Sequence, residues 1–505
     1  MRRATLFRGA VVLALFCGLA WAGDRLPAQS ADAAPAAPDL RYLLAYDGGG
    51  TLHVTLSYAP LRRDVTTFTY GEPRFGGQAD IFDSLANIQA SPPARLSVDA
   101  ATRTITVEHP GDGPVTIEYD VRESHMAEQG MKGELFRPMI RADYFYCHGI
   151  NLFLRMDLRP QGRIIRQSVV WAKRPRFPLY YPFDPENRGE RPALWDDDAA
   201  LLSPLTGSDD LSVDRIAVGR SPAYLVLRIN RRNDFNRKLI LDYFARYYAA
   251  LRRFWRDDGD RPFSLMLQPF LEARHDIGGM AFGSGFLSKY APVSDTILTP
   301  DRVFNLSHEI GHYWLGSGGL HMGMDHQWFS EGFNDFVTYA VLLAARFSLP
   351  RSFVHALDVV FGKLYASPVR NTPNADVFRN YWTMGDHNKL PYWRGCLFAF
   401  YLDNRIGLAT DGAKGLRDLL LELRARRKGA PGDEGMTVPE FVEAASVFLP
   451  RDEVQSALDA YIIAGQPIPF SRDMLLPMYR IDGKDGIPTL SVADEKALFA
   501  RFGID

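Results

Sequence analysis

Two histidines four residues apart constrain the fold of this chain more than any other feature. The segment His308-Glu309-Ile310-Gly311-His312 places both imidazoles on one face of an α-helix, one turn above the other. Two neutral imidazoles in this arrangement can bind one tetrahedral metal ion, and zinc is the natural occupant of such a site. We therefore expect the chain to present this helix face to at least one further ligand.

The residues before the histidines favour a helix. Thr299 is a suitable N-cap, Pro300 fits the first helical position, and Asp301 complements the positive end of the helix dipole. Glu309 follows His308 on this helix and projects toward the water that the metal would hold. We interpret Glu309 as the general base of a hydrolytic site and, later in the reaction, as its proton donor.

A third ligand follows at a characteristic distance. Eighteen residues separate His312 from Glu331, which lies in the segment Trp-Phe-Ser-Glu-Gly-Phe at 328–333. We expect Glu331 to begin a second helix capped by Ser330, to complete a site for one zinc ion per chain, and to leave one coordination position open. Asp335, one helical turn further on, is placed to orient a ligating histidine, although a solvated aspartate on a helix face is an equal alternative.

Coincidence is the alternative to a metal site. With 11 histidines in 505 residues, a chance match to the five-residue pattern is expected in roughly one such chain in a hundred. The spacing to Glu331 would then be a further accident. The sequence therefore favours zinc.

The beginning of the chain predicts export. Met1-Arg2-Arg3 is basic, residues 10–19 are apolar, and Ala20-Trp21-Ala22 offers a cleavage site of the small-x-small type. This pattern is typical of a secretory signal peptide over residues 1–22, which a flexible linker over 23–38 follows. We expect an exported protein, periplasmic or secreted, of the bacterial envelope.

Cysteine usage and charge narrow the classes of partner. A lipid anchor at Cys17 is the weaker alternative to export, because the bulky Phe16 precedes it. We expect Cys147 and Cys396 to be buried thiols, although a single disulfide between them stays open. No later apolar run reaches 18 residues, so no stable membrane insertion is expected. A net charge of −2 gives no general attraction to nucleic acid.

Residues 39–229 predict an antiparallel, sandwich-like β domain. In the clearest strand Val115, Ile117, Tyr119 and Val121 face one way and the residues between them face the other. Similar runs continue toward residue 229. At roughly 150 residues per domain the mature chain has room for about three domains, of which this is the first.

Helical spacing begins at Asp234. Six apolar residues are predicted to share one helix face: Leu239, Ile240, Tyr243, Phe244, Tyr247 and Leu251. Residues 263–267 predict a short strand, and the metal helix follows. Beyond residue 350 the pattern is mostly helical, with helix starts predicted at Thr437 and Ser491. We place the metal-binding domain over 230–349 and an α-helical domain over 350–505.

The metal motif and its surroundings resemble the gluzincin peptidases, in which His-Glu-x-x-His is followed after 18 residues by Glu in a Trp-x-x-Glu-Gly-Phe setting. The segment 391–403 resembles the tyrosine segment of the aminopeptidase N and glycyl aminopeptidase families, and its Arg-Gly and Leu-Asp features favour the glycyl family. The resemblance implies an N-terminal β domain, a thermolysin-like α+β catalytic domain and a C-terminal α-helical domain. It also implies that Tyr392 hydrogen-bonds the oxyanion. Taken alone, Tyr392 is typical of a packing residue.

The chain departs from this pattern in two ways. Gly278-Gly279-Met280-Ala281 lies where these families carry a glycine-rich strand whose glutamate binds the free amino terminus of the substrate, but here that position is Ala281. Backbone groups of the strand can still pair with an extended peptide, so exopeptidase preference becomes doubtful while peptide binding does not. Glu272 or Asp276 could replace the missing charge. As the second departure, we expect no C-terminal PDZ domain of the kind usual in this family, because only 113 residues follow Tyr392.

The sequence therefore predicts a zinc metallopeptidase that acts on a peptide or protein substrate. Two alternatives stay open: a catalytically silent relative that binds peptides or proteins through the same cleft, and a zinc hydrolase of a non-peptide bond. Retention of all the metal-site residues favours the enzyme, and Ala281 favours the binder. The oligomeric state stays open.

Overall fold

The computed structural model describes most of the chain after the linker. The described residues are 39–503 except for 61–63, 73–74, 125–130, 157–166, 183, 187–202, 229–236, 260–261, 272–276, 291–297, 317–318, 382–384, 428–434 and 485–486. The predicted signal peptide over 1–22 and linker over 23–38 lie outside them. Within the described part of the chain, no helix is long and apolar enough to cross a membrane.

The N-terminal part of the chain is rich in β-strands. In chain order the strands are β1 Leu40–Tyr46, β2 Thr51–Tyr58, β3 Asp64–Thr69, β4 Leu85–Ala90, β5 Arg95–Asp99, β6 Thr104–His109, β7 Val115–Arg122, β8 Met139–Ile140, β9 Tyr144–His148, β10 Arg155–Met156, β11 Gln167–Lys173, β12 Leu179–Tyr180, β13 Pro204–Ser208, β14 Leu211–Ile216 and β15 Ala223–Arg228. A short helix, α1 (Met131–Phe136), precedes β8. The predicted alternation in β7 is confirmed, since the side chains of Val115, Ile117, Tyr119 and Val121 are buried.

Three sheets are built from these strands. Their strand orders are β11-β1-β2-β7-β4, β10-β3-β6-β5 and β12-β13-β9-β8. Most pairs are antiparallel, but β1 pairs with β11 in parallel. The sequence predicted a wholly antiparallel region, and the parallel pair shows that this prediction is wrong in part. Many residues separate these two strands along the chain, so no local turn fixes their relative direction.

A fourth, mixed sheet joins this β-rich region to the rest of the molecule. It adds β16 (Phe263–Pro269), β17 (Ile277–Phe282) and β18 (Gly285–Tyr290), and its order is β14-β15-β16-β18-β17. β15 pairs with β16 in parallel. The sheet thus takes strands from both sides of residue 229, the predicted boundary between the first two domains. The domain limits themselves stay a prediction.

Each face of the mixed sheet packs into a different hydrophobic core. Leu225 and Leu265 belong to the core shared with the helices, whereas Val226 and Met266 belong to the core of the β-rich region. This division follows from the two-residue period of a strand. The two free cysteines are also divided, with buried Cys147 in the β-rich core and buried Cys396 in the helical one. The expectation of two buried thiols is confirmed.

Helix α2 (Arg237–Phe254) covers the helical face of the mixed sheet. Its buried residues include Ile240, Tyr243, Phe244, Tyr247 and Leu251. Leu239 is 49% exposed, so its predicted place on this face is wrong. Successive residues of a helix point about 100° apart, and here Ile240 takes the position toward the core.

The C-terminal part of the chain is mainly helical. Among the described residues, the remaining α-helices are α3 Pro300–Gly311, α4 Asn334–Ala344, α5 Pro350–Ala366, α6 Asn374–Asn380, α7 Leu390–Ala409, α8 Leu416–Arg426, α9 Val438–Ala445, α10 Arg451–Leu458 and α11 Glu495–Arg501. The predicted start at Thr437 is confirmed by a reciprocal capping box with Glu440. The predicted start at Ser491 is wrong, because Ser491 pairs with Arg480 in a hairpin of β19 (Tyr479–Lys484) and β20 (Ile487–Val492).

Candidate metal centre

Helix α3 carries the first two candidate ligands. Thr299 caps it as predicted, its hydroxyl accepting a hydrogen bond from the backbone N–H of Arg302 at 3.3 Å. His308 lies in the last turn and His312 directly follows the helix. Their ring centroids are 4.6 Å apart and the rings are perpendicular. The four-residue spacing thus brings both imidazoles to one place.

Glu331 approaches both rings from a second segment. Its Oε2 lies 3.1 Å from Nε2 of His308 and 3.5 Å from Nε2 of His312. One ligand atom from each of the three residues lies within 4.8 Å of the others. Glu331 belongs to a π-helical segment, Trp328–Phe333, that runs directly into α4. Ser330 is therefore inside the helical run and is not its N-cap, contrary to expectation.

These three residues fit a zinc ion. Glu331 is fully buried, and its Oε1 has no hydrogen-bond partner among the described residues. A buried carboxylate oxygen of this kind requires a positive partner. Two imidazoles and one carboxylate form the donor set that zinc prefers in catalytic sites, with a fourth position left open. His308, His312 and Glu331 would hold the ion.

The charges of this cluster depend strongly on one another. Burial alone would lower the pKa of His308, but hydrogen bonds and charges from Asp335 and Glu331 raise it well above its usual value. Burial alone would raise the pKa of Glu331, but the two histidines hold it well below its usual range. Protons therefore compete with a metal for this site.

The orientation of each histidine ring is fixed by a hydrogen bond at Nδ1, the nitrogen that faces away from Glu331. Oδ1 of Asp335 lies 2.7 Å from Nδ1 of His308. Nδ1 of His312 lies 2.8 Å from the carbonyl oxygen of Leu315, to which it donates in the corresponding tautomer. Both contacts leave Nε2 directed at the metal position. The sequence pointed to Asp335 for this purpose, but it carried no signal for Leu315.

Glu309 is placed as a general base requires. Its side chain is only 8% exposed, yet within the described part of the chain it makes no hydrogen bond or ion pair. Burial raises the pKa of Glu309, whereas His312 and His308 act in the opposite direction. A buried carboxylate beside the metal position, without another partner there, can accept a proton from water.

Tyr392 reaches the site from the first turn of α7. Its ring centroid lies 6.0 Å from that of His308. The phenol of Tyr381, a residue that sequence reasoning missed, lies close enough to act on the hydroxyl of Tyr392. Burial, together with the charge of Glu331, raises the pKa of Tyr392 well above its usual value. Tyr392 is therefore a neutral phenol, able to donate a hydrogen bond.

Two glycines allow the segments that carry Glu331 and Tyr392 to touch backbone to backbone. A Cβ atom on Gly395 would lie 2.0 Å from the carbonyl oxygen of Trp328, and one on Gly332 would lie 2.4 Å from the Cα of Gly395. No side chain fits between the π-helical segment and α7. The crossing therefore fixes Tyr392 relative to Glu331.

The predicted substrate strand is β17, at one edge of the mixed sheet. It pairs with β18, as the outermost strand in the described order. Gly278, Gly279 and Met280 are buried, whereas Ala281 is exposed. A Cβ on Gly278 would meet Met131 of α1 at 2.5 Å, so the glycine permits close packing there. Glu272 and Asp276 lie outside the described residues.

Comparison with known proteins supports the fold. No protein-family model matches the chain, and no curated protein matches it by sequence. An aminopeptidase N family protein from Idiomarina loihiensis aligns with a TM-score of 0.64 and 12% identity, over 85% of this chain and 76% of that one. The chain therefore has an aminopeptidase-N-related fold, with a β-rich N-terminal region and a helical C-terminal one.

Two further solved structures align more loosely. An M1 zinc metallopeptidase from Deinococcus radiodurans aligns with a TM-score of 0.48 and 12% identity, over 85% of this chain and 94% of that one. Yeast LTA4 hydrolase aligns with a TM-score of 0.47 and 14% identity, over 86% of this chain and 69% of that one.

Replacing Asp335 by asparagine should weaken zinc binding about 10- to 100-fold, because the amide lacks the charge that orients and polarises His308. Asp301→Asn, which changes an exposed carboxylate in the first turn of α3, should leave the affinity unchanged. Competition with a chromophoric chelator measures both dissociation constants. Equal affinities for the two variants would show that the contact between Asp335 and His308 does not contribute to zinc binding.

Gly395→Ala should separate the two crossing segments, lowering zinc affinity and destabilising the fold by about 1–3 kcal/mol. The matched control is Gly362→Ala in α5, where the added methyl group would meet nothing within 4 Å. Thermal unfolding in the presence of a chelator, followed by zinc titration, separates the two effects. If both alanine variants behaved alike, the backbone crossing would have no special role.

Proposed function

We propose that the protein is a zinc-dependent metallopeptidase of the gluzincin type, which hydrolyses peptide bonds in an exported peptide or protein. The observation that carries this proposal is the position of Glu309, a buried carboxylate without a partner among the described residues, directly beside the cluster of His308, His312 and Glu331. Structural sites close all four metal positions with protein ligands, whereas this donor set leaves room for water next to a base.

The residues divide the reaction between them. A bound zinc ion would supply Lewis acidity and would lower the pKa of water. Glu309 takes the proton as the water attacks the substrate carbonyl and later delivers it to the leaving amine. Tyr392 donates its phenolic hydrogen to the oxygen on which negative charge develops. Asp335 holds the ring of His308, and buried surroundings strengthen each of these interactions.

The finer domain assignment belongs to the same proposal. Residues 230–349 would form a thermolysin-like α+β catalytic domain between the β-rich domain at 39–229 and the α-helical domain at 350–505. The signal-like first 22 residues support export to the periplasm or beyond the cell. Peptide would bind by strand addition along Gly278, Gly279, Met280 and Ala281 of β17.

A silent peptide-binding relative is the second candidate, and one observation favours it. Ala281 presents an exposed methyl group on β17 at the position where the resemblance leads us to expect a glutamate. The same edge strand could then hold a peptide without cutting it. Hydrolysis by the zinc-loaded protein separates the two candidates.

The test of the proposal is Glu309→Gln. This variant should keep a full equivalent of zinc but should lose peptide hydrolysis by at least about 10²-fold, because the amide cannot accept the proton of water. The measurement is single-turnover cleavage of a mixed peptide library, with cut sites mapped by mass spectrometry. The matched control is Glu443→Gln, which makes the same change at an exposed carboxylate that pairs with Arg451.

Glu443→Gln should cleave like the unchanged protein. If zinc-loaded Glu309→Gln also cleaved at the unchanged rate, Glu309 would leave the mechanism. If no peptide were cut by the zinc-loaded unchanged protein, the silent relative would be the better description.

Free and N-acetylated forms of the same peptide should differ little as substrates, with the acetylated form at least as good. An ammonium group that reaches Ala281 loses water without gaining an ionic partner, at a cost of about 1–3 kcal/mol. The comparison is of kcat/KM for matched peptide pairs. A strong preference for the free amine that disappeared in Glu272→Gln or Asp276→Asn would show that the amine anchor had moved to one of these residues.

A further inference from the structure

We propose that Lys389 forms a subsite for a carboxylate group of the substrate, next to the candidate metal centre. The group would be either an acidic side chain close to the cleaved bond or the C-terminal carboxylate of a short peptide. Lys389 can act in this way only if the cleft takes peptides, so the subsite rests on the proposed function.

The ammonium group of Lys389 lies against the ring of Tyr392. Lys389 directly precedes α7, and its backbone N–H donates to the carbonyl oxygen of Asp386 at 2.9 Å. Its ammonium nitrogen lies over the ring of Tyr392, 4.9 Å from the ring centroid. The same ring lies 6.0 Å from the ring of His308. One aromatic ring thus contacts both the lysine and a candidate metal ligand.

The ammonium group of Lys389 makes no ion pair with any acidic side chain in the described part of the chain, although it is half-buried. The nearest acidic residue along the chain, Asp386, uses its carboxylate to accept a hydrogen bond from the hydroxyl of Ser367 at 2.7 Å. Glu331 and Asp335 are close enough to act on Lys389 through their charges, but both contact His308 directly. The charge of Lys389 is therefore available to a bound anion.

The dipole of α7 and the partial burial of Lys389 both strengthen the attraction of Lys389 for an anion. The helix extends over 20 residues, Leu390–Ala409, and Lys389 lies at its N-terminus, where the helix dipole is positive. Partial burial also removes water that would otherwise screen the charge. The ammonium group is attached by a flexible side chain, so it can turn from the ring of Tyr392 toward a substrate carboxylate.

The charges of the residues proposed to bind substrate agree with this assignment. The exposed Ala281 of β17 lies where the resemblance leads us to expect a carboxylate for the substrate amine. Lys389 places a cation near Tyr392 instead. A substrate with a negative charge near the cleaved bond therefore fits this cleft better than one with a positive charge.

The subsite is tested with peptides that differ only in one charge. N-acetylated hexapeptide amides are prepared with a single Glu or Gln at each position in turn, together with one peptide that has either a free or an amidated C-terminus. Binding is measured by calorimetry to zinc-loaded Glu309→Gln, and kcat/KM is measured with the unchanged protein. We expect about tenfold tighter binding of the carboxylate at one position, the strength of a charge-assisted hydrogen bond.

Variants of Lys389 assign the preference to this residue. In Lys389→Gln, the preference for the peptide with Glu over the peptide with Gln should fall below about twofold. Lys389→Arg keeps the charge, so this variant should retain the preference. The matched control is Lys363→Gln, which removes an exposed lysine whose charge reaches Lys389. Solvent screens that exposed charge, so the preference should persist. Loss of the preference in Lys363→Gln as well would assign it to the general field and overturn the subsite.

The outcomes separate the subsite from the proposed function. If peptides are cut but no position prefers a carboxylate, the subsite is wrong and the peptidase stands. If the preference is present in binding while nothing is cut, the subsite stands and the protein is a silent binder. A preference for Glu at one internal position of the peptide indicates an acidic side chain, whereas a preference for the free over the amidated C-terminus indicates the terminal carboxylate. If no peptide binds at all, both proposals fail.

Discussion

A carboxylate wholly removed from solvent, that of Glu331, lies between two imidazoles, and the rest of the site is arranged around its need for positive charge. Burying an isolated carboxylate costs several kcal/mol unless protons or a metal ion compensate it. His308 and His312 supply that compensation, and a zinc ion would do so more completely. The contact from Asp335 and the hydrogen bond to Leu315 then keep both rings aimed at one point.

The fold delivers these groups on rigid, mutually interlocked elements. Gly332 and Gly395 let the π-helical segment and α7 cross without side chains between them, so Tyr392 is held in a fixed relation to Glu331. Helix α3 is joined to α4 just as closely, because Asn334 donates to the carbonyl oxygen of His308 at 2.7 Å. Rigid support of this kind gives a site more precision than loops would.

How much of this could be predicted from the sequence depends on the range of each contact. His308 and His312 are only four residues apart, and residues at that spacing share one face of a helix. Their proximity could therefore be predicted from the sequence. The prediction that Ser330 caps a helix is wrong, because Ser330 lies inside a π-helical segment that begins at Trp328. Lys389 gave no local signal at all. Its contact with Tyr392 matters only because tertiary packing carries α7 to the metal site, and the parallel pairing of β1 with β11 is hidden for the same reason.

The occupancy of the site by zinc is the claim on which all of this depends, and anomalous diffraction tests it most directly. Crystals of the zinc-loaded protein should give one strong peak in data collected above the zinc absorption edge and not below it. The account predicts that this peak lies about 2.0–2.2 Å from Nε2 of His308, Nε2 of His312 and an oxygen of Glu331. A map with zinc bound elsewhere, and with Glu331 still hydrogen-bonded to His308, would contradict it.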